Sequence, residues 1–148
     1  MIDRKWIGHE SAPSVLPIER SRLQFFAKAM GEDSPIYTDP AAAQAAGYAD
    51  LPAPPTFLFA AELDSGASDA LLRDLGMPLA NVLHGEQSFT YHKPACVGDT
   101  ITVRSRIDDI YDKKGGALEF VVKSSRATNQ HDELVAEMRS VIVCRNRS

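Results

Sequence analysis

The sequence predicts an α+β fold with its helices in the first half of the chain and a curved antiparallel sheet in the second. Two observations carry that prediction. Apolar residues recur at helical spacing up to about residue 75 and at alternate positions from Val82 onward, and the later segments are separated by turn chemistry. At 148 residues the chain is long enough for one core and too short for two ordinary ones, so residues 1–148 are expected to form a single domain. With 44% hydrophobic and 24% charged residues, it is neither disordered nor fibrous.

From Leu16 the run Leu-Pro-Ile-Glu-Arg-Ser-Arg-Leu-Gln-Phe-Phe-Ala-Lys-Ala-Met-Gly places Leu23, Phe26, Ala27 and Met30 on one face, which predicts a helix. Pro17 suits its start, Glu19 suits its positive end, and Gly31 supplies the left-handed residue that stops it. Asp39-Pro40, Ala41 to Ala46 and Gly47 repeat this grammar in a shorter helix: a side-chain cap, a proline at the first position, alanines, a glycine stop. Between the two lies Glu32 to Thr38, too polar and proline-restricted for helix or strand, and such loops often carry function. After Pro54-Pro55, the segment Thr56 to Asp64 is apolar almost all round, so it reads as a helix enclosed by other structure. Glu62 and Asp64 break that pattern and are expected to meet solvent near the helix end. Ser65 to Ser68 interrupts the helix, and Asp69 to Leu75 resumes it as a surface turn.

Beyond Val82 the period is two. Phe89 and Tyr91, then Ile101 and Val103, then Leu118, Phe120 and Val122 alternate with polar residues, as half-buried strands do. Lys93-Pro94, Gly98-Asp99, Lys113 to Gly116 and Asn129 to Asp132 read as turns between antiparallel neighbours, and a last strand runs from about Leu134 to Cys144. Trp6 to Val15 is expected to add one more strand to this meander.

Charge and composition exclude several roles. Sixteen Lys and Arg against twenty Asp and Glu leave a net charge of −4 with no dense basic stripe, so nucleic acid is not an expected partner. The apolar stretch Leu51 to Ala61 is shorter than the ~20 residues a membrane helix needs and contains three prolines. Met1-Ile2-Asp3-Arg4-Lys5 leads into no apolar run, so a cytoplasmic address is expected. Cys96 and Cys144 fit no metal-ligand spacing and read as two reduced, apolar side chains; no metal site and no cofactor are expected. One apolar helix under one short sheet leaves an edge or a face open, which predicts pairing with a second copy or a homologue.

Four ordered segments carry a resemblance. They are Gly31-Glu-Asp-Ser-Pro-Ile-Tyr-Thr-Asp39, Ala45-Ala-Gly-Tyr48, Ala53-Pro-Pro-Thr-Phe57, and His84-Gly-Glu-Gln-Ser-Phe-Thr-Tyr-His-Lys-Pro-Ala-Cys-Val-Gly-Asp-Thr100. Over roughly residues 15 to 145 the chain resembles the MaoC-like dehydratases, and more closely their N-terminal MaoC-type subfamily. The resemblance implies a hot-dog fold, a sheet wrapped around a long central helix that begins near Pro55. Catalytic members resemble (R)-specific enoyl-thioester hydratases and use a loop Gly-Asp-x-Asn-Pro-x-His, whose Asp and His handle the water and proton while a backbone N–H at the helix start polarises the thioester carbonyl. Laid on this chain, Glu32 falls in the place of the Asp and Tyr37 in that of the His. The Ala-His-Gly that supplies the N–H falls on Ala53-Pro54-Pro55, and proline has no N–H to give.

A phenol is a poor proton acceptor at neutral pH, and exchanging the imidazole for it should cost about 10²–10⁴ in rate. The resemblance implies a remedy, since some heterodimeric (3R)-hydroxyacyl-thioester dehydratases pair a subunit lacking the dyad with one that has it. This chain looks like the former: a subunit that binds an acyl-CoA or acyl-carrier thioester, in a homodimer or in a heterodimer with a MaoC-like catalytic chain. Pro55, Thr56, Phe57 and His92 are its expected substrate contacts. A self-sufficient hydratase would need relocated groups: Asp33, one residue from the expected carboxylate; Tyr37; and His84 with Glu86, which stand two apart on a strand and hence on one face. A non-catalytic acyl-thioester binding module is a third reading. A thioesterase using Glu62 or Asp64 on the central helix is a fourth.

Overall fold

In the computed structural model, which describes residues 1–146, a five-stranded antiparallel sheet curls around a short helical segment. Arg147 and Ser148, the end of the expected domain, lie outside the described residues. The chain runs through β1 (Ser14–Pro17), α1 (Arg20–Ala29), α2 (Pro40–Ala45), α3 (Ala60–Asp64), α4 (Ala67–Asp74), β2 (Val82–Tyr91), β3 (Thr100–Lys113), β4 (Leu118–Thr128) and β5 (Leu134–Arg145). The α+β class and the sheet wrapped around a helix are those expected.

Both predicted glycine stops are present. Gly31 has φ +71°, and behind α1 the N–H of Glu32 reaches Ala27 O at 2.9 Å while that of Gly31 reaches Lys28 O at 3.1 Å. Gly47 ends α2 in the same way, with Tyr48 N–H on Ala43 O at 3.0 Å, and the Asp39 carboxylate caps its start by accepting Ala41 N–H at 2.9 Å.

Four elements differ from expectation. The first helix begins at Arg20, not near Leu16, because Leu16 and Ile18 are buried side chains and Leu16 pairs with Ile101 in the sheet. Pro17 closes β1, an edge strand whose outer side needs no N–H. Trp6 to Val15 is not a continuous strand. Arg4–Trp6 forms a 3-10 turn capped by Asp3, Gly8 takes φ +87°, and only an isolated bridge, Glu10 to Arg106, precedes β1. The sheet order is β1-β3-β4-β5-β2, so only β3, β4 and β5 form a meander. The Lys93-Pro94 and Gly98-Asp99 turns carry the chain across the molecule instead of between neighbours. The central helix, expected to be long, is a 3-10 turn at Phe57–Phe59 followed by α3; Gly66, at φ +73°, then starts α4.

The core follows from this arrangement. Phe57, Leu58 and Ala61 are buried against Ile101, Val103, Ala136 and Met138 on the concave face of the sheet, while Leu71 of α4 and Leu75 just after it pack on Ile107, Ile110 and Val121 at its other end. Along β3, Ile101, Val103, Ser105 and Ile107 face inward and alternate with exposed Arg104 and Arg106. No helix among the described residues is long and apolar enough to cross a membrane. Cys96 and Cys144 are both buried and free, and burial raises both thiol pKa values.

Candidate active site

The loop from Glu32 to Thr38 is built by local hydrogen bonds. Ser34 donates its N–H to Glu32 Oε1 at 2.9 Å, Pro35–Tyr37 makes a 3-10 turn, and Gln24 of α1 holds the loop by donating to Thr38 O at 2.9 Å. This frame presents Tyr37 to a cavity of about 340 Å³ whose walls include Tyr48, Pro54, Pro55, Leu58, Tyr91, His92 and Lys93. Glu32, the residue in the acidic dyad place, is occupied with its own loop, and Asp33 is exposed.

Three phenols thus converge on one cavity. The Tyr37 hydroxyl is held above its ordinary pKa, first by burial and then by the nearby Glu32, Tyr48 and Tyr91. It keeps its proton at neutral pH, where it can donate a hydrogen bond but cannot take up a proton.

A peptide donor stands one residue beyond Pro55. Thr56 has φ +75° and ψ −14°, the left-handed region, where a β-branched residue is an outlier. In this conformation its N–H donates to the Tyr91 hydroxyl at 2.8 Å. Pro55 lines the cavity and is exposed, Thr56 is exposed beside it, and Phe57 turns into the core and meets Phe26 edge-to-face at 5.2 Å. The Tyr91–Thr56 bond was not legible from sequence. The only local signal was Thr-Phe following a double proline, and the partner lies 35 positions away.

The remaining candidates sit elsewhere. His92 is at the cavity but its Nε2 is engaged with Glu137 at 2.9 Å, and Glu137 also accepts from Arg126 at 3.0 Å. His84 and Glu86 do not share a face. The register skips Gly85, so His84 opposes Ile142 and Glu86 opposes Val141, successive ladder positions that point to opposite sides. The His84 ring packs on Phe59 at 5.3 Å and bonds Gln87 at 3.0 Å beside a second cavity, while Glu86 pairs outside with Arg139 at 3.1 Å. Tyr37 thus lines the first cavity and His84 the second, while Asp33 and Glu86 are exposed.

Glu62 corrects an expectation as well. It is 3% exposed, not solvated: its carboxylate accepts from Lys123, Ser105 and Ser125. A carboxylate so neutralised is not free to attack a thioester or activate water. Asp64, exposed, pairs with Arg22.

The sheet curled around a buried helical segment is a hot-dog fold, and the comparisons agree. The family described as "FAS1-like, dehydratase domain region" matches residues 5–138, and the chain belongs to it. It is 36% identical over 147 residues to a UPF0336 protein of Saccharopolyspora erythraea, covering 97% of this chain and 92% of that one. It is 40% identical over 116 residues to another from Streptomyces avermitilis, covering 77% of each. Among solved structures, a chain of the truncated HadBC (3R-hydroxyacyl-ACP dehydratase) complex of Mycobacterium tuberculosis superposes with a TM-score of 0.78 at 27% identity, covering 93% of this chain and 96% of that one. The R-hydratase PhaJ1 of Pseudomonas aeruginosa, at 20% identity and a TM-score of 0.66 over 95% of this chain and 83% of that one, shares the fold.

Proposed function

We propose that this chain is the acyl-thioester-binding subunit of an enoyl-thioester hydratase or (3R)-hydroxyacyl-thioester dehydratase, and that a MaoC-like partner chain supplies the base. In hydration, water oxygen bonds to C3 of the enoyl group, the electron pair moves onto the thioester oxygen, and a proton is delivered to C2. Removing the proton from water needs an acceptor, and the observation that carries the reading is that the loop position of the base holds Tyr37, a phenol that lines the cavity and keeps its proton at neutral pH. The cavity beside it still offers hydrogen-bond donors and apolar walls to a thioester. The dehydratase complex named above, in which two different chains associate, supports the heterodimeric form.

Two measurements on crotonyl-CoA test this. The isolated chain should bind the ester by calorimetry without consuming the enoyl absorbance, and adding a MaoC-like chain with an intact Gly-Asp-x-Asn-Pro-x-His loop should start hydration. Rapid turnover by the isolated chain would contradict the partner requirement. Binding with no product even beside such a partner would favour a non-catalytic module, and release of free thiol would mark a thioesterase.

A further inference from the structure

Tyr91 ends β2 with its ring stacked on Phe89, centroids 5.7 Å apart and planes 2° from parallel, and it is 50% exposed. Its oxygen receives the Thr56 N–H at 2.8 Å. A phenol has one proton to give, and that proton cannot lie along a line already occupied by an incoming N–H. No hydrogen bond among the described residues uses the Tyr91 proton, which leaves it for the cavity shared with Tyr37 and Tyr48. Accepting a bond also strengthens the one the hydroxyl can donate.

From this geometry we infer that Tyr91 binds the thioester carbonyl, donating its phenolic proton to the carbonyl oxygen while the Thr56 N–H holds the phenol in place. The inference rests on the thioester-binding reading above. It explains how a chain with proline where its resemblance expects the peptide donor could still polarise a carbonyl: the next N–H along, Thr56, acts through a hydroxyl. Tyr37, anchored on the loop and bonded to neither group, is left to orient water or the partner's base.

Cinnamoyl-CoA is a suitable probe, because its absorption moves to longer wavelength when the carbonyl oxygen accepts a strong hydrogen bond. Wild-type protein should bind it with such a shift. Tyr91→Phe should bind it roughly tenfold more weakly or less, the loss of one donor, and the shift should largely disappear. A thioether analogue lacking the carbonyl should bind wild type and variant alike. An undiminished shift in Tyr91→Phe, a wild-type complex without a shift, or an equal loss of affinity for ester and thioether would each overturn the assignment to Tyr91. Failure of wild type to bind either analogue would instead remove the thioester reading itself, and Tyr91's role with it.

Discussion

Thr56 shows how one residue carries both strain and position. Its φ of +75° is a conformation a glycine adopts freely, and a β-branched residue there costs on the order of 1 kcal/mol. Thr56→Gly should therefore be nearly neutral in urea unfolding, because relief of about 1 kcal/mol of strain is offset by the ~0.5–1 kcal/mol that glycine adds to the entropy of the unfolded chain; a loss clearly above about 1 kcal/mol would mean that the residue is not strained. Tyr37 makes a pH prediction. Its raised pKa, caused first by burial, means the unfolded chain releases the phenolic proton at a lower pH than the folded chain does. The stabilisation is whole below the ordinary phenol value of about 10 and is lost as pH climbs through the folded value. Chemical denaturation of wild type and Tyr37→Phe at pH 8 and about pH 10.5 should show the variant losing less stability on the alkaline side. The same slopes for both would refute the shift.

At the scale of elements, the helices were readable because their signals are local. Asp39, Gly31 and Gly47 act within a turn or two of themselves, so sequence alone located all three caps. What could not be read depends on residues that meet only after folding. The bulge at Gly85 is set by strand β5, where a Cβ on residue 85 would lie 2.9 Å from Val143 Cγ2 and 3.1 Å from Val141 O. The lone glycine in His84-Gly85-Glu86 signals a bulge or a close approach, but the residues it meets lie in β5, and the bulge decides which face each side chain uses. Gly85→Ala should cost roughly 1–3 kcal/mol in overpacking, measured by urea unfolding, and a neutral substitution would show that β5 yields at that point. Glu62 and Lys123 are 61 residues apart and join α3 to β4 through a buried ion pair, with Ser105 and Ser125 completing the carboxylate's bonds. Lys123→Met alone strands a buried carboxylate and should cost about 3–5 kcal/mol, whereas the double replacement Glu62→Leu/Lys123→Met should recover most of that loss. Equal losses in the single and double variants would mean the pair is not energetically coupled.

The sheet ends in two edge strands, β1 and β2. β2 is an edge strand of ten residues, and Leu63, Leu83 and Tyr91 are exposed apolar side chains on or near it. The prediction of a partner drawn from an open edge needed no coordinates, only the count of one enclosed helix against one sheet. The fold and family were legible in the ordered motifs; the proposed roles at the site could be read at Tyr37 and Pro55, whose residue types depart from the motif, and not at Tyr91, whose bond to Thr56 forms only in the folded chain. On the proposed reading Tyr37 leaves the place of the imidazole without a proton acceptor, while the Glu32 carboxylate is bonded to the Ser34 N–H of its own loop. Initial rates of crotonyl-CoA hydration by the isolated wild-type protein and by Glu32→Asp/Tyr37→His test this. Wild type should show the background rate, and turnover should rise at least about tenfold above it once the imidazole and the shorter carboxylate are restored; a wild-type chain that hydrates the ester unaided, at a rate the double substitution does not raise, would contradict it.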